Sequence, residues 1–313
     1  MKVSVIGNGH VGMAAFSALK NVRGIDELAL VGRNVNVVQA EVEDFLDARI
    51  LDYIPSPNLI GGGLEKSEGS DIIIYTVGEL LKAGADRLSE MESNVKIVRE
   101  LFPKLAAISP NSIVICLSNP VDVLTYVIRE AIDFDQRKVI GSGTLLDTAR
   151  LKRKIADLFN VSALSVDALI MGEHGQSAAV IWSAVRIANQ TMNDLVKIEI
   201  DEDATFQNDL MSQMTKRAGF KIYQGKGNTS YGIANSAARI VSAIINDTRE
   251  VLPVSTMMLD RYGIRDCALS VPCVIGQNGI VDTVYANMTQ DEKADLEKSA
   301  EILKEYIEKA KII

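Results

Sequence analysis

The chain has 313 residues, of which 47% are hydrophobic and 24% charged, the composition of a globular protein with a sizeable core. A net charge of −8 argues against nucleic acid as a partner, and no run of about 18 apolar residues suggests a transmembrane helix. No signal peptide is read, and three scattered cysteines exclude a disulfide framework and a Cys-x-x-Cys metal site. We therefore expect a cytoplasmic protein with reduced cysteines and no bound metal.

The first predicted element is an apolar strand at residues 2–6, which leads through GNGHVG into a helical pattern at residues 13–20. The G-x-G-x-x-G spacing falls on Gly7, Gly9 and Gly12. Such glycines permit a tight turn, close approach of a pyrophosphate to the backbone, and packing of helix on strand. We predict a dinucleotide site here; a glycine turn without a ligand is the alternative. His10 is interpreted as a loop side chain near the phosphates, without a catalytic role.

NAD-binding sites present an acidic residue to the ribose about 20 residues after the third glycine of the motif. In this chain that position follows the second predicted strand, residues 28–31. Here that position is Gly32, and Arg33 follows it. Without the carboxylate there is no repulsion toward a 2′-phosphate, and Arg33 could pair with that phosphate. We expect the protein to accept NADPH. The stronger form of this prediction is that NADPH is preferred over NADH. In the alternative, Arg33 is a solvated charge and NAD is used.

The rest of the first half alternates between helix and strand. The predicted elements are a helix at 37–52, loops and turns including 61–63, a strand at 71–77, a loop at 79–86, a helix from 87 to about 105, and strands at 113–117 and 138–141. A glycine-bearing loop beyond a strand's carboxyl end is where a lid belongs, and Arg87 lies at its far end. Asn119 follows a strand, where its amide could bond to cofactor and substrate. Its alternative role is a loop cap before Pro120.

The pattern changes after Gly143, although no linker or composition break marks the point. A long helix at 145–159 is followed by strands at about 166–172, 179–187 and 251–283, and by a helix opened by a capping box at Thr289 and Glu292. We predict an α/β protein with an N-terminal Rossmann domain, a doubly wound parallel sheet, over residues 1–142. An α+β catalytic domain is predicted over residues 143–313.

Asp147, Arg150 and His174 form the strongest group of candidate catalytic residues. A carboxylate, a guanidinium and an imidazole can together bind an anionic substrate and move a proton near neutral pH. Two alternatives are that Asp147 and Arg150 form a surface pair three positions apart on a helix, and that His174 is structural. His174 is one of only two histidines in the chain.

Six motifs occur in order along the chain: GNGHVG, KAGADR, SNPVD, GSGTLLDTAR, GEHG and KGNTSYGIA. The resemblance that they mark extends over essentially the whole chain. On these motifs the chain resembles an L-2-hydroxyacid dehydrogenase of the lactate/malate dehydrogenase family, closest to its L-2-hydroxyisocaproate dehydrogenase branch. The resemblance implies hydride transfer between NAD(P)H and a small 2-keto acid, and a homodimer or homotetramer.

The resemblance also implies a role for each matching residue. His174 resembles the proton donor to the keto oxygen, and Asp147 its orienting partner. Arg150 is similar to the arginine that binds the substrate carboxylate, and Arg87 to the loop arginine that polarises the keto group. Asn119 resembles the amide near nicotinamide and substrate.

Leu81, six residues before Arg87, matches the position that faces the substrate side chain in this family. Lactate dehydrogenases carry Gln there and malate dehydrogenases carry Arg, so a leucine disfavours malate and favours an apolar side chain. Thr229 matches the other pocket position, and the small residues Ala218 and Gly219 leave room for a branched chain. We expect 2-ketoisocaproate or a similar acid; the alternative is that Leu81 packs against the closed lid.

The chain departs from the family pattern at two places. Gly32 replaces the acidic residue that binds the ribose. Lys152 and Asp167 stand where allosteric bacterial lactate dehydrogenases carry Arg and His. An aspartate would repel a sugar bisphosphate, so we expect no activation by fructose bisphosphate. The alternative functions are an NAD-dependent L-lactate dehydrogenase, and a non-catalytic dinucleotide sensor.

Overall fold

The computed structural model describes residues 1–51, 57–79, 87–192, 194, 195, 222 and 224–313, with the side chains of residues 87–89 excepted. Its centre is a nine-stranded sheet. Six parallel strands follow the doubly wound order β3-β2-β1-β4-β5-β6. Their bounds are β1 Lys2–Ile6, β2 Glu27–Val31, β3 Asn58–Gly62, β4 Ile72–Tyr75, β5 Ile113–Cys116 and β6 Val139–Gly141.

The described helices cover the faces of this sheet. They are α1 His10–Leu19, α2 Val35–Arg49, α3 Arg87–Ile108, α4 Val121–Ala131, α5 Leu145–Phe159, α6 Tyr231–Ile245 and α7 Gln290–Lys311. β4 and β5 are buried along their whole length, as expected for parallel strands with a helix layer on each face. This arrangement confirms the predicted fold class, and α5 has the predicted bounds.

The sheet continues past β6 with antiparallel strands from the C-terminal half. β12 Glu250–Leu259, β13 Arg265–Gly276 and β14 Gly279–Thr283 form this extension. β12 pairs with β6 through Ser255 and Gly141, so one sheet takes strands from both halves of the chain.

The predicted capping box at the start of α7 is confirmed. The side chain of Thr289 accepts a hydrogen bond from the N–H of Glu292, and the carboxylate of Glu292 accepts one from the N–H of Thr289 at 2.8 Å. Two otherwise unpaired N–H groups are thereby satisfied, which fixes where α7 begins.

The strands predicted at about 166–172 and 179–187 are wrong in extent. The chain instead forms five two-residue strands: β7 Val166–Asp167, β8 Ile170–Met171, β9 Ala179–Val180, β10 Arg186–Ile187 and β11 Gln190–Thr191. They pair in two small sheets, β11-β10-β7 and β8-β9. The predicted strands are interrupted at residues 168–169 and 181–185, whereas the GEHG motif lies in the connection between β8 and β9, where the prediction also left a turn.

Two further expectations in the first half are corrected. The residues predicted as turns at 61–63 include the end of β3, an edge strand that pairs with β2 through Leu30 and Gly61. The carboxyl-terminal half of β3 lies against α2, where the absence of a glycine side chain leaves space for Val42. His10 is the first residue of α1 and not a loop residue.

Buried apolar side chains form one large core around the central sheet and a smaller one around α5. The smaller core includes Leu151, Ile155 and Val166, which hold α5 against the short strands. Across the described parts of the chain, no helix is both long enough and apolar enough to cross a membrane.

Candidate active site

The glycine turn after β1 is shaped by two close approaches. Gly7 has a φ of +111°, a conformation that favours glycine, and a Cβ on Gly12 would lie 1.8 Å from the carbonyl oxygen of Gly7. The hydroxyl of Thr76, beyond β4, donates to the carbonyls of Ile6 and Gly7 at 2.9 and 3.2 Å. The turn is therefore held between β1 and β4, where the order of the parallel strands reverses.

The N-terminus of α1 opens into the same cleft. Gly9 is its N-cap, and a Cβ placed there would meet no atom within 4 Å. Among the described residues, no side chain caps this helix and no acidic residue lies in its first turn. Unpaired N–H groups and the positive end of the helix dipole favour an anion at this position. The residues present therefore fit the pyrophosphate of a dinucleotide, and His10 also lines this part of the cleft.

The end of β2 carries no acidic side chain. A Cβ on Gly32 would lie 2.7 Å from Oδ1 of Asn8 and 2.7 Å from Cγ2 of Val38, so a larger residue would displace both neighbours. Arg33 is exposed, and Asn34 next to it caps α2. Arg33 and Asn34 line a shallow depression on the surface. The segment after β2 is thus uncharged at position 32 and carries an exposed cation at position 33.

Asn119 also lines the cleft, three residues after the end of β5 and directly before a cis peptide bond to Pro120. Asn94 of α3 is 1% exposed and connects this segment to the one after β4. Its Nδ2 donates to the carbonyl of Asn119 at 2.8 Å, and its Oδ1 accepts from the N–H of Glu79 at 2.8 Å. One buried amide therefore fixes the backbone of two loops at the carboxyl edge of the sheet.

Asp147 lies between the other two members of the predicted group. Its Oδ1 accepts from Nη1 of Arg150 at 3.0 Å, and its Oδ2 lies 2.5 Å from Nδ1 of His174. The spacing on α5 brings Asp147 and Arg150 together, and the turn between β8 and β9 brings His174 to them. Their side chains are 20%, 18% and 28% exposed respectively, and all three line the cleft.

The His174–Asp147 pair favours its charged form. Burial lowers the pKa of His174, but the charge of Asp147 and its hydrogen bond outweigh burial, so the pKa lies above 6.5. Burial raises the pKa of Asp147, but the charges of His174 and Arg150 outweigh it, so the pKa lies below 3.8. The pair can hold a proton on the imidazole near neutral pH.

Asp122 is a site residue that the sequence analysis missed. It lies in the first turn of α4, is 2% exposed, and accepts a hydrogen bond from the N–H of His174 at 2.7 Å. The motif SNPVD contains Asp122, but nothing in the sequence shows that this side chain reaches a residue 52 positions later. The sequence feature that could have identified Asp122 is an acidic residue shortly after the end of a predicted strand.

These residues share one cleft of about 1870 Å³, lined by Gly9, Asn119, Arg150, His174 and Thr229 among others. The volume exceeds the 300–1,000 Å³ of a site for one drug-sized ligand, and suits a dinucleotide with a small second molecule. Three predicted pocket positions lie outside the described residues: Leu81, Ala218 and Gly219. The side chain of Arg87 is also outside them, although Arg87 begins α3.

The doubly wound sheet carries a glycine turn, and the same cleft holds an imidazole–carboxylate pair beside an arginine. Together these features define a dinucleotide-dependent oxidoreductase. Residues 1–141 match the lactate/malate dehydrogenase NAD-binding domain, and residues 144–312 match the lactate/malate dehydrogenase alpha/beta C-terminal domain. The chain belongs to the lactate/malate dehydrogenase family. It is an NAD-dependent enzyme that acts on the CH–OH group of a small 2-hydroxy acid.

Curated relatives match along nearly the whole chain. An L-lactate dehydrogenase of Clostridium botulinum (strain Hall) is 35% identical over 310 residues, which are 99% of this chain and 96% of the relative. An L-lactate dehydrogenase of Clostridium perfringens (strain SM101) is 35% identical over 307 residues, 98% of this chain and 96% of the relative.

Proposed function

We propose that the protein reduces a small 2-keto acid to the L-2-hydroxy acid, with His174 as the proton donor to the keto oxygen. The observation that carries this proposal is the connected group Arg150–Asp147–His174 on the wall of the cleft. Asp147 holds Nδ1 of His174, so Nε2 is the nitrogen left to hold the transferable proton. NAD(P)H, when bound, supplies the hydride.

Arg150 is the proposed partner of the substrate carboxylate. One of its N–H groups donates to Asp147, and the planar guanidinium has further N–H groups for a bidentate pair with a carboxylate. Such a pair fixes the orientation of the keto acid, which brings its keto oxygen toward His174. Family resemblance supports two more roles: Arg87 as the polariser of the keto group, and Asn119 as the amide near substrate and cofactor.

For the substrate side chain, we propose an apolar branched group, as in 2-ketoisocaproate, which would relate the protein to the L-2-hydroxyisocaproate dehydrogenase branch. The support is Leu81 at the position that faces the side chain, with Thr229 lining the cleft. Each buried methylene contributes about 0.8 kcal/mol, which favours the longer acid over pyruvate. The second candidate is lactate dehydrogenase activity on pyruvate, supported by the names of the relatives.

A comparison of initial rates tests this function. We expect oxidation of the reduced cofactor with 2-ketoisocaproate, and a kcat/KM about fourfold or more above that for pyruvate, the equivalent of one buried methylene. A higher kcat/KM for pyruvate would overturn the side-chain proposal and leave the dehydrogenase intact. Absence of turnover with a broad panel of keto acids would instead favour the dinucleotide sensor.

We also propose that NADPH is preferred over NADH. The support is the exposed Arg33 beside Gly32, where Asn8 and Val38 leave no room for an acidic side chain. A neutral position 32 does not repel a 2′-phosphate, and Arg33 can pair with it.

Arg33→Ala is expected to raise the Kd of NADPH about three- to tenfold, a modest factor because Arg33 is exposed and its charge is screened. The Kd of NADH should change less than twofold, and it serves as the internal control. Fluorescence titration of each reduced cofactor measures both values. Tighter binding of NADH by the unaltered protein would contradict the preference.

We further propose that the chain divides into two domains between residues 142 and 143. This division is supported by two family matches that meet between residues 141 and 144. A cytoplasmic homodimer or homotetramer is supported by the family resemblance. The lack of activation by fructose bisphosphate is supported by Asp167, which is exposed on β7 and would repel that anion.

A further inference from the structure

The side chain of Asn8 lies where a side chain at position 32 would begin. Asn8 stands between Gly7 and Gly9 in the glycine turn, and Gly32 follows β2. The N–H of Gly7 donates to the carbonyl of Val31 at 2.8 Å, so the two segments lie side by side. A Cβ on Gly32 would lie 2.7 Å from Oδ1 of Asn8 and 3.1 Å from its Cγ. The amide of Asn8 therefore fills the space from which the acidic side chain of an NAD site would extend.

The amide of Asn8 has no structural partner among the described residues. Asn8 is half-buried and lines the cleft. An asparagine at the start of a helix often caps it, but no side chain caps α1, whose N-cap is Gly9. Within the described part of the chain the amide also forms no hydrogen bond. Its donor and acceptor groups are therefore available to a ligand in the cleft.

An amide and a carboxylate recognise different adenosine groups. A carboxylate only accepts hydrogen bonds, so it binds the ribose hydroxyls of NADH and repels the 2′-phosphate of NADPH. An amide carries an acceptor oxygen and an NH₂ donor, so it can accept from a hydroxyl or donate to a phosphate. Asn8 is uncharged and is compatible with both cofactors. Arg33, exposed beside Gly32, adds attraction for the phosphate alone.

We propose, on the basis of the cofactor binding described above, that Asn8 determines cofactor specificity in place of the missing acidic residue. Its amide binds the 2′-position of the adenosine ribose, which carries a hydroxyl in NADH and a phosphate in NADPH. The absence of a side chain on Gly32 leaves room for this amide, so the two residues act as a pair. The competing explanation is that Asn8 only fills space beside Gly32, and that Arg33 alone distinguishes the cofactors.

Asn8→Ala, titrated with NADH and with an NADH analogue that lacks the adenosine 2′-hydroxyl, separates these explanations. We expect the Kd of NADH to rise about three- to tenfold, the usual effect of losing one hydrogen bond. The Kd of the 2′-deoxy analogue should change less than about twofold, because the group that Asn8 binds is absent from it. Fluorescence of the bound dihydronicotinamide measures both values. Asn111→Ala is the control, since Asn111 is exposed before β5, at the opposite edge of the sheet.

Asn8→Asp tests the choice between the two cofactors, because it keeps the shape of the side chain and restores a negative charge. We expect the ratio of the Kd of NADPH to that of NADH to rise about tenfold or more, since the carboxylate repels the 2′-phosphate. The Kd of NADH should stay within about threefold, because a carboxylate still accepts from the ribose hydroxyl. Arg33→Ala differs from Asn8→Ala in weakening the binding of NADPH alone.

An equal loss of affinity for NADH and for the 2′-deoxy analogue in Asn8→Ala would overturn the proposal, because Asn8 would then act through the shape of the turn. Equal weakening of both cofactors in Asn8→Asp would overturn it as well. If Asn8→Ala does not fold, Asn8→Asp decides. These titrations need no turnover, so a protein without activity on keto acids would count against the proposed function and not against the role of Asn8. Tighter binding of NADH by the unaltered protein would contradict only the preference for NADPH.

Discussion

His174→Ala is expected to lower kcat for keto-acid reduction by about 10²–10⁴-fold, the range that general acid–base catalysis contributes. The reason is that His174 is the group in the cleft whose pKa and position suit proton donation: Asp147 holds its Nδ1 at 2.5 Å and favours the charged ring. The Kd of the reduced cofactor should change little. Stopped-flow rates and fluorescence titration measure the two effects.

His10→Ala is the control for this variant, since His10 is the other histidine and lines the cofactor end of the cleft. It is expected to affect cofactor binding and to leave the pH dependence of the rate unchanged. Near-normal turnover in His174→Ala, with an unchanged fold by circular dichroism, would remove His174 from the mechanism.

Arg150→Lys is expected to lower kcat/KM for the keto acid about 10- to 150-fold, mostly through KM. Lysine keeps the charge but lacks the planar fork that binds a carboxylate through two hydrogen bonds. A hydrogen bond to a charged group contributes about 1.5–3 kcal/mol, which gives this range. Steady-state kinetics with 2-ketoisocaproate and with pyruvate measure the change for both candidate substrates.

Arg153→Lys is a matched control on the same helix. Arg153 pairs with Asp157 at 3.2 Å, but both side chains are 60% exposed, so the exchange should change kcat/KM less than twofold. An equal loss in both variants would mean that the effect comes from α5 as a whole. A KM unaffected by Arg150→Lys would assign the substrate carboxylate to another residue.

Much of the first half was predictable, because a buried parallel strand and a glycine turn leave strong local patterns. The β1–Gly7–α1 unit, β4, β5 and β6 lie where the sequence predicted them. The contact between Asp147 and Arg150 also follows from sequence spacing, since residues three apart share a helix face.

The parts that were missed depend on contacts between distant residues. β3 contains glycines that resemble a turn, and only its pairing with β2 makes it a strand. The two-residue strands around GEHG are too short for an alternating pattern to reveal their ends. The hydrogen bond between Asp122 and the backbone of His174 joins residues 52 positions apart, and no local sequence pattern indicates it.

The pH dependence of keto-acid reduction is the most direct test of a His174 proton donor. A raised pKa means that the protonated form is present below that pKa and is lost as pH rises through it. We predict that kcat/KM is level at low pH and falls about tenfold per pH unit above an apparent pKa that is raised over that of an ordinary imidazole, until chemistry from solvent takes over. A rate that shows no fall as the pH is raised, or one that rises with pH, would contradict proton donation by His174.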